Sequence, residues 1–77
     1  MEPDRRHALI TILAAHVELA RAKRALSQAK LARLADTDPG TVNKFLNGAD
    51  VKVSTACSII EAAGLEIIIR EKLPPAV

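Results

Sequence analysis

Apolar residues recur three and four apart through the first third of the chain. Leu9, Leu13, Val17 and Ala20 form the stripe, flanked by Ile10, Ile12 and His16. That period predicts one long amphipathic helix from residue 5 to about residue 24, entered through Pro3 and Asp4 as a helix-start signal. Ser27 suits the N-cap of a second, short helix, with Leu31, Leu34 and Ala35 turned inward and Lys30 and Arg33 outward. Asp36 and Thr37 interrupt the pattern. Asp38-Pro39 restarts it, Asp as a cap for free amides and Pro at the first helical position. Val42, Phe45 and Leu46 supply the buried side of a third helix, and Asn47-Gly48 ends it. After a loop over 49–52, Val53, Ala56, Cys57, Ile60 and Ala63 mark a fourth helix closed by Gly64. The stretch Leu65-Glu66-Ile67-Ile68-Ile69-Arg70-Glu71 changes character. It is β-branched and roughly alternating, which predicts a short strand over 65–71. Pro74-Pro75 can extend neither kind of element regularly, so the tail is expected to fray.

With 77 residues there is room for one small domain over 1–77. Hydrophobic residues make up 49% of the chain, but 14 of those 38 are Ala. Such a core is thin, and a partner subunit is expected to help stabilise it. Phe45 is the single aromatic residue, which argues against modules that stack bases on several exposed rings. One Cys excludes an intramolecular disulfide framework and a Cys-rich zinc site. No apolar run is long enough to span a bilayer and no signal-peptide pattern opens the chain, so a cytoplasmic protein with no membrane association is expected.

The net charge of +2 hides an asymmetry. Residues 19–35 hold Arg21, Lys23, Arg24, Lys30 and Arg33 with no acid, whereas the remainder carries 6 basic and 9 acidic residues. A basic segment set against a mildly acidic remainder suits a polyanion such as DNA, although a solvated helix face would carry the same charges.

Two short helices joined by about four residues, the second with an exposed polar stripe, match a helix-turn-helix over residues 27–47. The stretch from Leu26 to Gly48, LSQAKLARLADTDPGTVNKFLNG, resembles the Cro and phage-repressor-like (Xre-type) DNA-binding family. Ser27-Gln28 resembles the family's opening of its second helix. Leu31-Ala32 fits its packed pair, Val42 and Phe45 its buried recognition-helix positions, and Asn47-Gly48 its usual ending. The likeness extends loosely through Gly64. Two departures stand out. Asp36 occupies the turn where the family commonly has Gly, and Asp tolerates the left-handed region better than most residues. Pro39 and Gly40 stand where the family often places long base-reading side chains.

On the third helix, positions 40, 43, 44 and 47 share one face, opposite Val42, Phe45 and Leu46. The expected base-reading set is Gly40, Thr41, Asn43, Lys44 and Asn47. Asn43 suits adenine, Lys44 guanine or a phosphate, and Thr41 a hydrogen bond or a thymine methyl. The expected phosphate contacts are Gln28, Lys30, Arg33 and Lys52, Gln28 beside the free amides of the second helix. His7 and His16 are nine apart and about half a turn out of phase, so they cannot share a metal. Cys57 reads as a small residue of the fourth helix's apolar face. No catalytic triad, carboxylate pair or phosphate-cradling Gly loop is recognisable, so neither catalysis, a metal nor a cofactor is expected.

A lone strand leaves unpaired amides and exposes Ile67, Ile68 and Ile69. Antiparallel pairing with the same strand of a second copy removes both problems, and a final helical turn on the chain's own core is the alternative. This helix-then-strand ending also resembles HipB-like antitoxin repressors, which implies dimerisation of that kind. The expected fold is therefore mainly α, a four-to-five-helix repressor-like helix-turn-helix domain whose C-terminal strand pairs across a homodimer. The expected function is a homodimeric repressor of double-stranded DNA acting on a palindromic operator. The alternative is an antitoxin that neutralises a partner toxin and regulates its own operon.

Overall fold

Residues 5–71 are described by the computed structural model, with side chains from residue 8 onward, and among them four helices follow one another. They are α1 (Arg5–Lys23), α2 (Gln28–Leu34), α3 (Pro39–Leu46) and α4 (Val53–Ala62). The start signal at Pro3-Asp4, the side chain of His7 and the Pro74-Pro75 tail lie outside the described residues.

Each helix stops by the same device. The amide three residues past the last helical residue reaches back five positions: Leu26 to the Arg21 carbonyl, Thr37 to Ala32, Ala49 to Lys44 and Leu65 to Ile60, all at 2.9–3.1 Å. The residue before each of those amides must then adopt a positive φ. At the ends of α3 and α4 it is Gly48 (φ 84°) and Gly64 (φ 87°), which pay no Cβ penalty there. At the ends of α1 and α2 it is Ala25 (φ 54°) and Asp36 (φ 58°), two L side chains in the left-handed region. The starts are specified just as locally. The Ser27 hydroxyl accepts the Lys30 amide at 3.0 Å, and the Asp38 carboxylate accepts the Thr41 amide at 2.8 Å, so α2 and α3 begin where Ser and Asp-Pro predict.

The core lies where α2 crosses α3, closed by α1 against α3 and by α4 against α2. It comprises Val17, Ala20, Leu31, Ala32, Ala35, Val42, Phe45, Ile59, Ile60 and Ala63. Four of these ten are Ala, which keeps the helices close but buries little apolar area per residue. Ala32 at the α2–α3 crossing is 1% exposed, where a larger side chain would force the helices apart.

Three apolar expectations are corrected. Only the carboxyl half of α1 is packed, through Ala14, Val17 and Ala20, while Leu9, Ile12, Leu13 and Leu19 remain exposed. A 19-residue helix is about 28 Å long, and α2, α3 and α4 are too short to cover all of it. Leu34 faces outward at the last turn of α2, because Leu31 and Ala35 already occupy the inward stripe. Val53 faces solvent on the first turn of α4, ahead of the point where that helix meets the core.

The expected strand over 65–71 is also corrected: among the described residues none is in a strand, and 65–71 carries neither helix nor strand. A strand is defined by its ladder partner, and the described residues supply none. Ile67, Ile68 and Ile69 are left 42%, 69% and 93% exposed.

Candidate nucleic-acid interface

The site is α3 and its immediate supports. Val42 and Phe45 are fully buried beneath it, which fixes the rotation of the helix and turns Asn43, Lys44 and Asn47 outward. The Asn47 amide Nδ2–H donates to Asn43 Oδ1 at 3.1 Å, so two of the three outward side chains are held in register one turn apart. A second lone pair on Asn43 Oδ1 and its own Nδ2–H remain for a base edge. Lys44 stands exposed beside them on the same face.

The amino end of α3 is occupied by the protein itself. One Asp38 oxygen takes the Thr41 amide and the other accepts the Thr41 hydroxyl at 3.0 Å. Those bonds, the backbone one foremost, hold the Asp38 carboxyl below its ordinary value. Pro39 has no amide to offer. Gly40 leaves space for the cap, since a Cβ there would lie 3.1 Å from Asp38 Oδ1. Gly40 is therefore exposed backbone beside the reading face, and Thr41 is half-buried with its hydroxyl already donated to Asp38. Of the five sequence-selected positions on α3, only Asn43, Lys44 and Asn47 present side-chain polar groups outward together.

The flanking basic residues separate into two groups. Lys30 and Arg33 are exposed on α2 and Lys52 is exposed just ahead of α4, while Gln28 is half-buried at the first position of α2. Arg21 is committed internally. Its Nη1–H donates to the Leu26 carbonyl at 2.8 Å, closing the α1–α2 turn, and its Nη2 pairs with Glu18. Arg24 lies over Gly64, where a Cβ would stand 2.5 Å from Arg24 Cζ. Of the five basic residues in 19–35, Arg21 is thus bound by the chain itself, while Arg24 is exposed beside Gly64.

Sequence reasoning did not single out Ser54 and Thr55. They line a polar cleft of about 230 Å³ with Asp36, Thr37 and Ser58, between the α2–α3 turn and α4. A signal was present: Lys52 stands at the N-cap of α4, where a capping side chain is the rule, and the helix begins with no side-chain cap bond. Its leading amides stay open next to a cation.

Two short helices crossing at a four-residue turn, the second presenting a rigid polar ridge from an apolar base, define the class of helix-turn-helix DNA-binding domains. A family model described as a helix-turn-helix matches residues 17–68, well over half the chain, and the protein belongs to that family, of the Cro/C1, Xre-like type. It is a DNA-binding transcription regulator. No curated protein matches the chain. No helix among the described residues is long and apolar enough to cross a membrane.

Proposed function

We propose that the protein is a non-catalytic, cytoplasmic repressor that binds a palindromic operator as a homodimer. The observation that carries this is the α3 ridge: Asn43, Lys44 and Asn47 outward, fixed by Val42 and Phe45 beneath and by the Asn43–Asn47 bond. Asn43 reads adenine through its amide, Lys44 reads guanine or a phosphate, and Asn47 steadies Asn43 while reaching the next base. Gly40 admits the DNA backbone close to the start of α3, and Thr41 contributes its methyl to thymine. Lys30, Arg33 and Lys52, with Gln28 at the head of α2, take phosphates and set the register on the duplex. A two-fold dimer sets its α3 helices about 34 Å apart, one helical turn of DNA. Occupancy of a promoter then blocks transcription.

The test is a gel shift on the protein's own upstream DNA. A discrete complex is expected, and Asn43→Ala with Lys44→Ala should weaken it by about 2–5 kcal/mol in total while the helical spectrum stays unchanged. Unaltered affinity in that variant would refute the site assignment.

A second reading is an antitoxin, favoured by one observation: Leu9, Ile12 and Leu19 form an uncovered apolar stretch on α1 of the kind that takes a protein partner. A toxin encoded next to this gene and co-purifying with the protein would establish it.

A further inference from the structure

The chain holds two asparagines, Asn43 and Asn47, and both stand exposed on the outward face of α3. Only Asn47 is followed by glycine. In an Asn-Gly pair the next backbone nitrogen can attack the side-chain amide carbon, because no Cβ on the following residue blocks the approach. The Gly48 nitrogen bonds to Asn47 Cγ while the Cγ–Nδ2 bond breaks, and ammonia leaves with the proton of the Gly48 amide. Water then opens the five-membered imide at either carbonyl, giving aspartate or isoaspartate at position 47. The change is a hydrolysis and consumes only water.

The structure holds the two reacting groups apart. Asn47 is the C-cap of α3 with ψ 8°, which leaves the Gly48 nitrogen beside the backbone nitrogen of Asn47 and away from its side chain. Ring closure requires the Asn47 ψ to swing until the Gly48 nitrogen comes over Cβ. Three hydrogen bonds resist that swing. The Gly48 amide donates to the Phe45 carbonyl at 3.0 Å, the Ala49 amide to the Lys44 carbonyl at 2.9 Å, and Asn47 Nδ2–H to Asn43 Oδ1 at 3.1 Å. All three belong to the last turn of a helix of 8 residues, where local opening costs least. Asn47 is exposed, so water reaches it as soon as the turn opens. Asn43 lies a turn further into α3 and is followed by Lys44, which makes it an internal reference.

We propose that Asn47 is a modification site through which the chain alters its own reading ridge: opening of the last turn of α3 lets Gly48 convert the Asn47 amide into a carboxylate. The consequence rests on the DNA-reading assignment of α3 above. In the native ridge Asn47 donates to Asn43 Oδ1, which leaves Asn43 its own Nδ2–H and a second lone pair for adenine. A carboxylate at 47 has no hydrogen to give and faces Asn43 Oδ1 acceptor to acceptor. Asn43 relieves the clash by turning its amide over, which exchanges the donor and acceptor it shows to a base. The new negative charge also stands beside Lys44 on the same face and opposes the phosphates. Operator affinity therefore falls as the protein ages.

Mass spectrometry of the ageing full chain tests the chemistry without DNA. Aspartate and isoaspartate should accumulate at position 47 and not at Asn43. They should form faster at mildly alkaline than at mildly acidic pH, because the attacking amide must lose its proton. The rate should be lower than in the urea-unfolded chain, since the last turn of α3 gates it. Gly48→Asn keeps a residue suited to the left-handed end of the helix (φ 84°) while hindering the attack, and should stop conversion at 47. Position 47 remaining asparagine in the folded chain overturns the site, and equal rates in the folded and unfolded chains overturn the gate. Asn47→Asp reproduces one product and, with an unchanged helical spectrum, should weaken the operator gel shift about tenfold or more, the worth of one bidentate base contact. Native affinity in that variant overturns the effect on reading. Conversion at 47 in a native protein that shifts no DNA supports the chemistry and counts against the DNA reading alone.

Discussion

Ala25 and Asp36 hold positive φ at helix ends where the other two ends use Gly. The left-handed region costs an L side chain about 1–2 kcal/mol, while a Gly there loses about 0.4–1 kcal/mol through extra freedom of the unfolded chain. Ala25 is exposed and packs on nothing that would be lost. Ala25→Gly should therefore raise stability by about 0.5–1 kcal/mol, measured by urea unfolding, and an unchanged midpoint would show that the turn relaxes without strain. Asp38 gives the second prediction at this scale. Its carboxyl lies below its ordinary 3.8 because the ionised form accepts two bonds from Thr41. The folded state therefore holds its proton less tightly than the unfolded chain does. Its contribution is complete above 3.8 and fades as pH falls through the lowered folded-state value. Asp38→Asn keeps the cap and removes the titration, so the variant should lose less melting temperature than the native protein between pH 5 and pH 3 (about the carboxylate range). Parallel pH curves would argue against it. The Asp38 cap, Pro39 and the Asp36 turn were all legible in the sequence, because caps and turns are specified by residues within four positions of one another.

At the scale of the element, α2 and α3 act as one unit through Leu31, Ala32, Val42 and Phe45. The small side chain of Ala32 sets how closely they cross. Ala32→Leu should cost about 1–3 kcal/mol and, at temperatures where the variant is still folded, should reduce operator affinity by tilting α3 against its supports. A destabilised variant that retains full affinity would mean that α3 keeps its pose without α2. The faces of α3, and of α4 beyond its first turn, were readable from period alone, whereas Val53 at the start of α4 was not. The faces of α1 and of the end of α2 were not. Leu9, Leu13 and Leu34 fit the helical period as well as Val17 and Leu31 do, and only the extent of the neighbouring helices decides which of them are covered.

For the whole molecule, the decisive property is where charge stands once the chain has folded. Residues 19–35 look like a continuous basic stripe, yet Arg21 is paired with Glu18 and the Leu26 carbonyl, and Arg24 lies over Gly64. The exposed cations beside α3 are Lys30, Arg33, Lys44 and Lys52. Operator affinity should fall steeply with added salt through counterion release, and Lys52→Ala should lower the slope of log K against log salt by about one without changing sequence preference. An unchanged slope would remove Lys52 from the phosphate-binding set.

By itself the sequence determined the local parts of this protein. It set where α2 and α3 start, which positions of α3 sit over Val42 and Phe45, and the helix-turn-helix spacing, because each depends on residues a turn or less apart. Only the tertiary structure decided which half of α1 is covered and that Arg24 lies against Gly64. It also decided that the isoleucines of 65–71 stand uncovered in a single copy. Those outcomes depend on what other segments reach a given surface, and a strand in particular has no ladder until a second strand lies beside it.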